Sequence, residues 1–481
     1  MAAEFDLVLR DVMVPAAARV APGSTPAHAP RGAPEPVDVG VRGETIAAVG
    51  PRLGRGRVEV DGSGALLLPG LIDNHVHYRE PGAAWKEGYV TGTAASVRGG
   101  ATTVGEVQNN APLVARAAQW RAKVDSLRGR ARCRTLVYGC ALPEHAGPEG
   151  APRLRELARA APAVKLFLAA GADLEVSEAG ALRALFAEVA AAEGLLLLHA
   201  ELGPIVRAGL ERHGERAADF SRARSVEAEH AAVELCLEAA ASTGARIHFF
   251  HVSSARACEA IRAAKARGRA VSGAACAHHL LFTDEEVGAR GAVLKCNPSI
   301  KSAADRAALR AAVKEGALDV IQSDHAPHPR AEKERPFRDA PSGIPGADLL
   351  LPLWLDLVDA EVLSLDELVE RGALGPARLH GLHDRGRIAS GALADLVLVE
   401  ERPFTVSEGD FASKAKLSPY VGRTLRRRAA KVWIGGALVF DRSAPEDLAA
   451  LERSAPPPLG GGGAAPAAGG DAGAPPEGCC G

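Results

Sequence analysis

The sequence predicts an α/β protein: a (β/α)8 TIM-type barrel carrying a small β-sandwich domain formed from both chain termini. Three observations predict it. Eight apolar runs recur along the middle of the chain, at 65–76, 101–108, 134–142, 162–169, 195–200, 247–252, 270–276 and 318–323. Amphipathic stretches such as 176–193, 227–242 and 254–267 separate most of them. Strands alternating with helices make a parallel sheet, and eight such units close it into a barrel. The third observation is that residues able to do chemistry stand where those runs end, which is the catalytic rim of such a barrel.

The flanks read differently. Residues 4–13 and 37–49 have the pattern of short strands, as do 386–399 and 430–440. Strands from the two ends are expected to pair into one β domain. This divides the chain into 1–64, the barrel at 65–378, and 379–445. The Pro/Ala-rich stretch 14–36 reads as a surface loop or disordered insertion. The Pro/Gly/Ala-rich tail 455–481 is expected to be disordered. A chain of 481 residues is long enough for one barrel and a smaller domain.

Composition narrows the function. A formal net charge of −2 supplies no basic field for nucleic acid. No apolar run approaches the roughly 20 residues that span a bilayer, and the N-terminus, with Glu4 and Asp6, lacks a signal-peptide core. Eight scattered cysteines without a Cys-x-x-Cys pair fit reduced, buried thiols in a cytoplasmic enzyme.

The strand ends carry the chemistry. His75 and His77 follow the run 65–72, and alternation with period two points both imidazoles the same way. Such a pair is half of a metal site, although two histidines near a loop also occur without a metal. Arg79, two residues on, offers a planar fork suited to a carboxylate. Lys165 sits in the apolar strand Ala163-Val164-Lys165-Leu166-Phe167. An unpaired buried ammonium is costly, so it needs a carboxylate partner or conversion by carbon dioxide to a carbamate able to bridge two cations. His199 ends the run 195–198, and His251 is nearer its strand end than His248, which faces the opposite side. Asp324 ends the last run, as a candidate ligand and proton carrier.

These residues, together with His75-Val76-His77-Tyr78-Arg79-Glu80-Pro81-Gly82, Val164-Lys165-Leu166-Phe167, His199-Ala200-Glu201, His251-Val252-Ser253-Ser254, His278-His279-Leu280, Asn297-Pro298 and Asp324-His325-Ala326-Pro327-His328, resemble the amidohydrolase superfamily in its cyclic-amidohydrolase branch. Within it the chain is most similar to the dihydroorotases, over roughly 4–16 and 37–445. The Arg-Glu-Pro-Gly and Asp-His-Ala-Pro-His segments favour that group. Trp85-Lys86-Glu87-Gly88-Tyr89 and Gly105-Glu106 are closer to allantoinases. Ala274 and Ala277 stand where relatives often carry Glu and Pro.

The resemblance implies two Zn2+ ions per subunit. His75 and His77 would hold one with Asp324, His199 and His251 the other, and carboxylated Lys165 would bridge them. Arg79, Asn109 and His328 would bind a substrate carboxylate, with Asn110 in place of Asn109 if its loop slips by one. Asn297 and the backbone near Ser342 and Gly343 would bind the ring amides. The implied reaction interconverts N-carbamoyl-L-aspartate and L-dihydroorotate in pyrimidine synthesis, with water activated between the metals and Asp324 as general acid and base. His278 and His279 are read as structural or supporting groups. The resemblance further implies a small-molecule substrate, a homo-oligomer and association with aspartate carbamoyltransferase. The alternatives are an allantoinase, hydantoinase or dihydropyrimidinase, or an inactive scaffold homologue, whose usual mark is loss of the ligands that this chain keeps.

Overall fold

In the computed structural model the described residues are 3–21, 31–107, 109–171 and 173–444. The chain opens with a four-stranded sheet of β1 (Phe5–Val14), β2 (Glu35–Arg42), β3 (Thr45–Gly50) and β4 (Gly56–Asp61), in the order β3-β2-β1-β4. Its inward residues Leu7, Leu9, Val39, Val41 and Ile46 are buried in the main core. β5 (Leu67–Pro69) then leads into the barrel.

The barrel strands are β6 (Leu71–Val76), β7 (Ala101–Glu106), β8 (Arg134–Val137) with β9 (Gly139–Cys140), β10 (Val164–Phe167), β11 (Leu195–His199), β12 (Arg246–Phe249), β13 (Val271–Cys276) and β14 (Val320–Gln322). Tyr138 separates β8 from β9, so the two count as one barrel strand. All pairings are parallel and run in chain order, β6 to β8 in one sheet and β9 to β14 in the other. A parallel bridge between Val76 and His325 closes the ring. All eight predicted runs form these strands. The continuous burial of most of them, as in Leu195-Leu196-Leu197-Leu198-His199, is what a parallel sheet covered on both faces requires, while β8 is mostly half-buried.

The helices between the strands are defined by their ends. Val226–Thr243 starts at Ser225, whose hydroxyl accepts from the Ala228 amide, and stops at Gly244 with φ 73°. The side chain supplies an acceptor to a free amide, and glycine adopts the left-handed turn without a Cβ clash. The amphipathic stretch read at 254–267 is the helix Ala255–Ala266.

A second four-stranded sheet contains β15 (Leu396–Thr405), β16 (Thr424–Ile434) and β17 (Ala437–Asp441), ordered β17-β16-β15-β5. The N-terminal strands pair with one another and the C-terminal strands pair with β5, so the two ends meet by packing and by single bridges such as Thr45 with Leu393, rather than in one ladder. The expectation of a surface loop over 14–36 is corrected at both ends. Ala16–Arg19 is a 3-10 turn with its three alanines buried, and Glu35 already belongs to β2. Asp366 holds that turn by accepting from the amides of Ala17 and Gly32 at 2.9 and 2.8 Å. Residues 22–30 and the tail 455–481 lie outside the described residues.

Candidate active site

The C-terminal rim of the barrel brings four of the predicted histidines into two pairs. His75 Nε2 and His77 Nε2 are 3.0 Å apart, and Asp324 Oδ1 lies 3.5 Å from His75 Nδ1 and 3.6 Å from His77 Nε2. His199 Nδ1 and His251 Nε2 are 3.2 Å apart. The pairs adjoin, with the rings of His75 and His251 centred 5.3 Å apart. His248 points elsewhere, toward Asn74 at 3.1 Å and Ser272 at 2.8 Å.

Each pair presents lone pairs. His77 Nδ1 donates to the Val107 carbonyl at 3.0 Å, which leaves Nε2 unprotonated. His199 Nε2 donates to Glu201 at 2.9 Å, which frees Nδ1 to face His251. Glu201 is itself held by Arg224, whose Nε is 3.1 Å from both carboxylate oxygens. A carbonyl behind His77 and a carboxylate behind His199 are the arrangement that fixes a metal-binding tautomer in one imidazole of each pair. Burial keeps the rings neutral: it drops His77 to about 4 and takes His75 and His251 further below the usual histidine range. Burial alone would raise Asp324, but the neighbouring side chains of His77, His278 and Lys165 outweigh it and hold the carboxyl below its ordinary value.

Lys165 lies in β10, 1% exposed, and its Nζ has no hydrogen-bond partner. It lies over the rings of Phe250 and Phe167, at 4.2 and 4.8 Å, and Phe250 in turn stacks on His75 at 4.1 Å. Burial lowers the amine to about 7, against the opposing pull of Asp324. Facing lone pairs, a buried carboxylate and an unsatisfied amine form a donor set that fits cations. His75, His77 and Asp324 are able to hold one ion, and the His199 and His251 pair another.

Arg79 is 5% exposed beside this set. Its Nη1 donates to Asn109 Oδ1 at 2.8 Å and its Nη2 meets His328 Nε2 at 3.2 Å. Asn110 is turned away, its amide donating to the Pro81 carbonyl at 2.7 Å and to the Arg79 carbonyl at 3.2 Å, so Asn109 is the asparagine at the guanidinium. His328 is backed by Glu332 at 2.9 Å, which also pairs with Lys86 at 2.9 Å. One cavity of about 190 Å³ is lined by His75, His77, His199, His251, Asp324 and Asn109, and also by Asn297, Ser342 and Gly343. Its remaining wall is mostly apolar, with Phe167, Leu174, Val206 and Leu210.

Residues 66–439 match the amidohydrolase family. The chain belongs to the amidohydrolase family. It is a hydrolase, and metal dependence is general in that family. It is 33% identical over 415 residues to the dihydroorotase of Trichlorobacter lovleyi, covering 85% of this chain and 96% of the relative. It is 34% identical over 386 residues to the dihydroorotase of Pelobacter propionicus, covering 80% and 89%. Among solved structures it is similar to the L-hydantoinase (dihydropyrimidinase) of Arthrobacter aurescens, with a TM-score of 0.83, 24% identity and coverage of 91% and 96%. A dihydropyrimidinase from Brevibacillus agri gives a TM-score of 0.79 at 22% identity, covering 90% and 95%. At such identities the solved structures speak for the fold. Among the described residues, no helix is long and apolar enough to cross a membrane.

Two groups behind His199 in this amidohydrolase site went unassigned in the sequence. Glu201 was legible in principle, because it alternates with His199 at the end of an apolar run. Arg224 was not: it precedes a helix and reaches the site only through the fold.

Proposed function

We propose that this hydrolase is a metal-dependent cyclic amidase of the dihydroorotase type, interconverting N-carbamoyl-L-aspartate and L-dihydroorotate. The observation that carries this reading is the Arg79 guanidinium, held by Asn109 and His328 beside the histidine cluster. A neutral ring offers such a fork only single uncharged carbonyl acceptors, whereas a ring carboxylate matches it in charge and shape.

In this reading His75, His77 and Asp324 would hold one Zn2+ and His199 and His251 the other, and Lys165, once carboxylated, would supply a further anionic ligand. When bound, the ions lower the pKa of water and polarise the scissile carbonyl. Arg79, Asn109 and His328 grip the carboxylate and fix the ring, which lowers the entropic barrier. Asn297 and the backbone at Ser342 and Gly343 hold the ring amides. Asp324 accepts the proton of the attacking water and returns it to the ring nitrogen as the C–N bond breaks. Ring closure runs through the same groups in reverse. A homo-oligomer in the cytoplasm, serving pyrimidine synthesis in association with aspartate carbamoyltransferase, belongs to the same proposal.

The apolar wall of Phe167, Leu174, Val206 and Leu210 favours a second reading, an amidase for neutral rings such as hydantoins. Assay of the zinc-loaded protein on L-dihydroorotate and N-carbamoyl-L-aspartate, beside allantoin, hydantoin and dihydrouracil, separates the two. We expect reversible turnover of the first pair, reduced about 10²–10⁴-fold by Asp324→Asn. Turnover of neutral rings alone overturns the substrate. Turnover of none overturns both readings in favour of an untested substrate or an inactive homologue.

A further inference from the structure

A second donor cluster goes beyond the structural or supporting role read for His278 and His279 in the sequence. Cys276 ends β13, and the short helix Ala277–Leu281 that follows carries His278 and His279. Each residue offers a ligand atom within 4.8 Å of those of the other two. All three are buried, at 0%, 1% and 2% exposure.

Their hydrogen bonding is that of ligands rather than of packed core groups. Neither ring nitrogen of His278 has a hydrogen-bond partner. His279 Nε2 donates to the Pro298 carbonyl at 3.1 Å, which leaves its buried Nδ1 as an unpartnered lone pair. Buried polar atoms are almost always satisfied, and a carbonyl behind one ring nitrogen is how proteins aim the other at a metal. Cys276 Sγ accepts from the Gln322 amide at 3.7 Å, and burial holds the thiol protonated until an ion displaces the proton.

We propose that Cys276, His278 and His279 form a third metal site that takes Zn2+, independent of the function proposed for the histidine, lysine and aspartate cluster. One thiolate and two imidazoles suit zinc, while Mg2+ and Ca2+ need oxygen donors. On binding, the Cys276 S–H bond breaks, the sulfur electron pair goes to the ion and the proton leaves to solvent. A cation here ties the end of β13 to the 296–299 segment, through the His279 to Pro298 hydrogen bond, and so steadies Asn297 at the cavity.

Cobalt substitution of the full chain tests this, because the other donor set contains no thiol. We expect a near-ultraviolet thiolate-to-cobalt charge-transfer band, lost in Cys276→Ala and kept in Cys296→Ala. Zinc content should fall by one ion per chain in Cys276→Ala. His278→Ala keeps the thiol and serves as the second variant should Cys276→Ala fold poorly; it should weaken the band. A wild-type protein without the band overturns the site. A band that survives Cys276→Ala, or vanishes with Cys296→Ala alone, overturns the assignment to Cys276.

Discussion

Three site residues hold backbone angles that side chains rarely adopt: Arg79 at φ 61°, His251 at φ 34° and Asp324 at φ 47°. Each such residue costs of the order of 1–3 kcal/mol, and each stands where a strand gives way to a loop. At His251 and Asp324 the left-handed turn takes the side chain out of the strand's alternation and into the cavity. For Arg79 the result is a guanidinium fixed by Asn109 and His328 before any substrate arrives. Arg79→Gln should therefore cost about 3–5 kcal/mol in kcat/KM for L-dihydroorotate, about 10²–10⁴-fold. Steady-state assays should show hydantoin turnover nearly unchanged; an equal loss on both substrates would assign Arg79 to the scaffold instead. Period-two alternation made His75 and His77 legible in the sequence, and burial made Lys165 legible. The left-handed turns were not, since nothing in Arg, His or Asp announces a positive φ. The buttresses Arg224, Lys86 and Glu332 were equally hidden, because they come from loops and short helices without a period.

At the scale of elements, the eight strands were readable because a parallel barrel buries them on both faces and leaves continuous apolar runs. The pairing of the outer sheets was not, since local pattern does not say which distant strand is the neighbour. Glu106 illustrates the limit. The sequence associates Gly105-Glu106 with substrate type, yet Glu106, at the end of β7, pairs with Lys123 of the helix Ala117–Ser126 at 2.5 Å. Both side chains are buried, at 0% and 3% exposure. Burial raises the carboxyl and lowers the amine, and each partner's charge works against that shift. The pair thus fastens strand to helix rather than touching substrate. Removing one member strands the other: Lys123→Met should destabilise the fold by about 3–5 kcal/mol, and Lys123→Met with Glu106→Leu should recover most of that. Urea unfolding of the single and double variants measures it. A double variant as weak as the single would mean that the helix, not the ion pair, supplies the stability.

Across the whole molecule, the segment 411–416, between β15 and β16, carries the outer β domain to the catalytic rim. Ser413 Oγ donates to Glu87, whose carboxylate meets His325 Nε2 at 3.3 Å, next to Asp324 in sequence. Lys414 Nζ donates to the Ala84 and Glu87 carbonyls at 2.7 and 3.2 Å. The Ala412 amide donates to Asp348 Oδ1 at 2.6 Å, while Asp348 Oδ2 is buried without a partner. Burial pushes the Asp348 carboxyl up to about 6 from 3.8, only partly offset by Arg98 and the Ala412 amide. The sign follows from where the proton is held more tightly. The folded state keeps this proton above pH 3.8 and the unfolded chain does not, so its contribution is complete below 3.8 and is lost as pH rises through about 6. At 1.36 kcal/mol per unit, that loss is about 3 kcal/mol. Asp348→Asn keeps an acceptor for Ala412 and carries no charge, so it should gain on the wild type by about that amount between pH 4 and pH 7. Subtracting the two stability curves cancels every other titrating group. A flat difference in unfolding free energy across that window would mean that Asp348 is ionised in the folded protein, with its charge carried by Arg98.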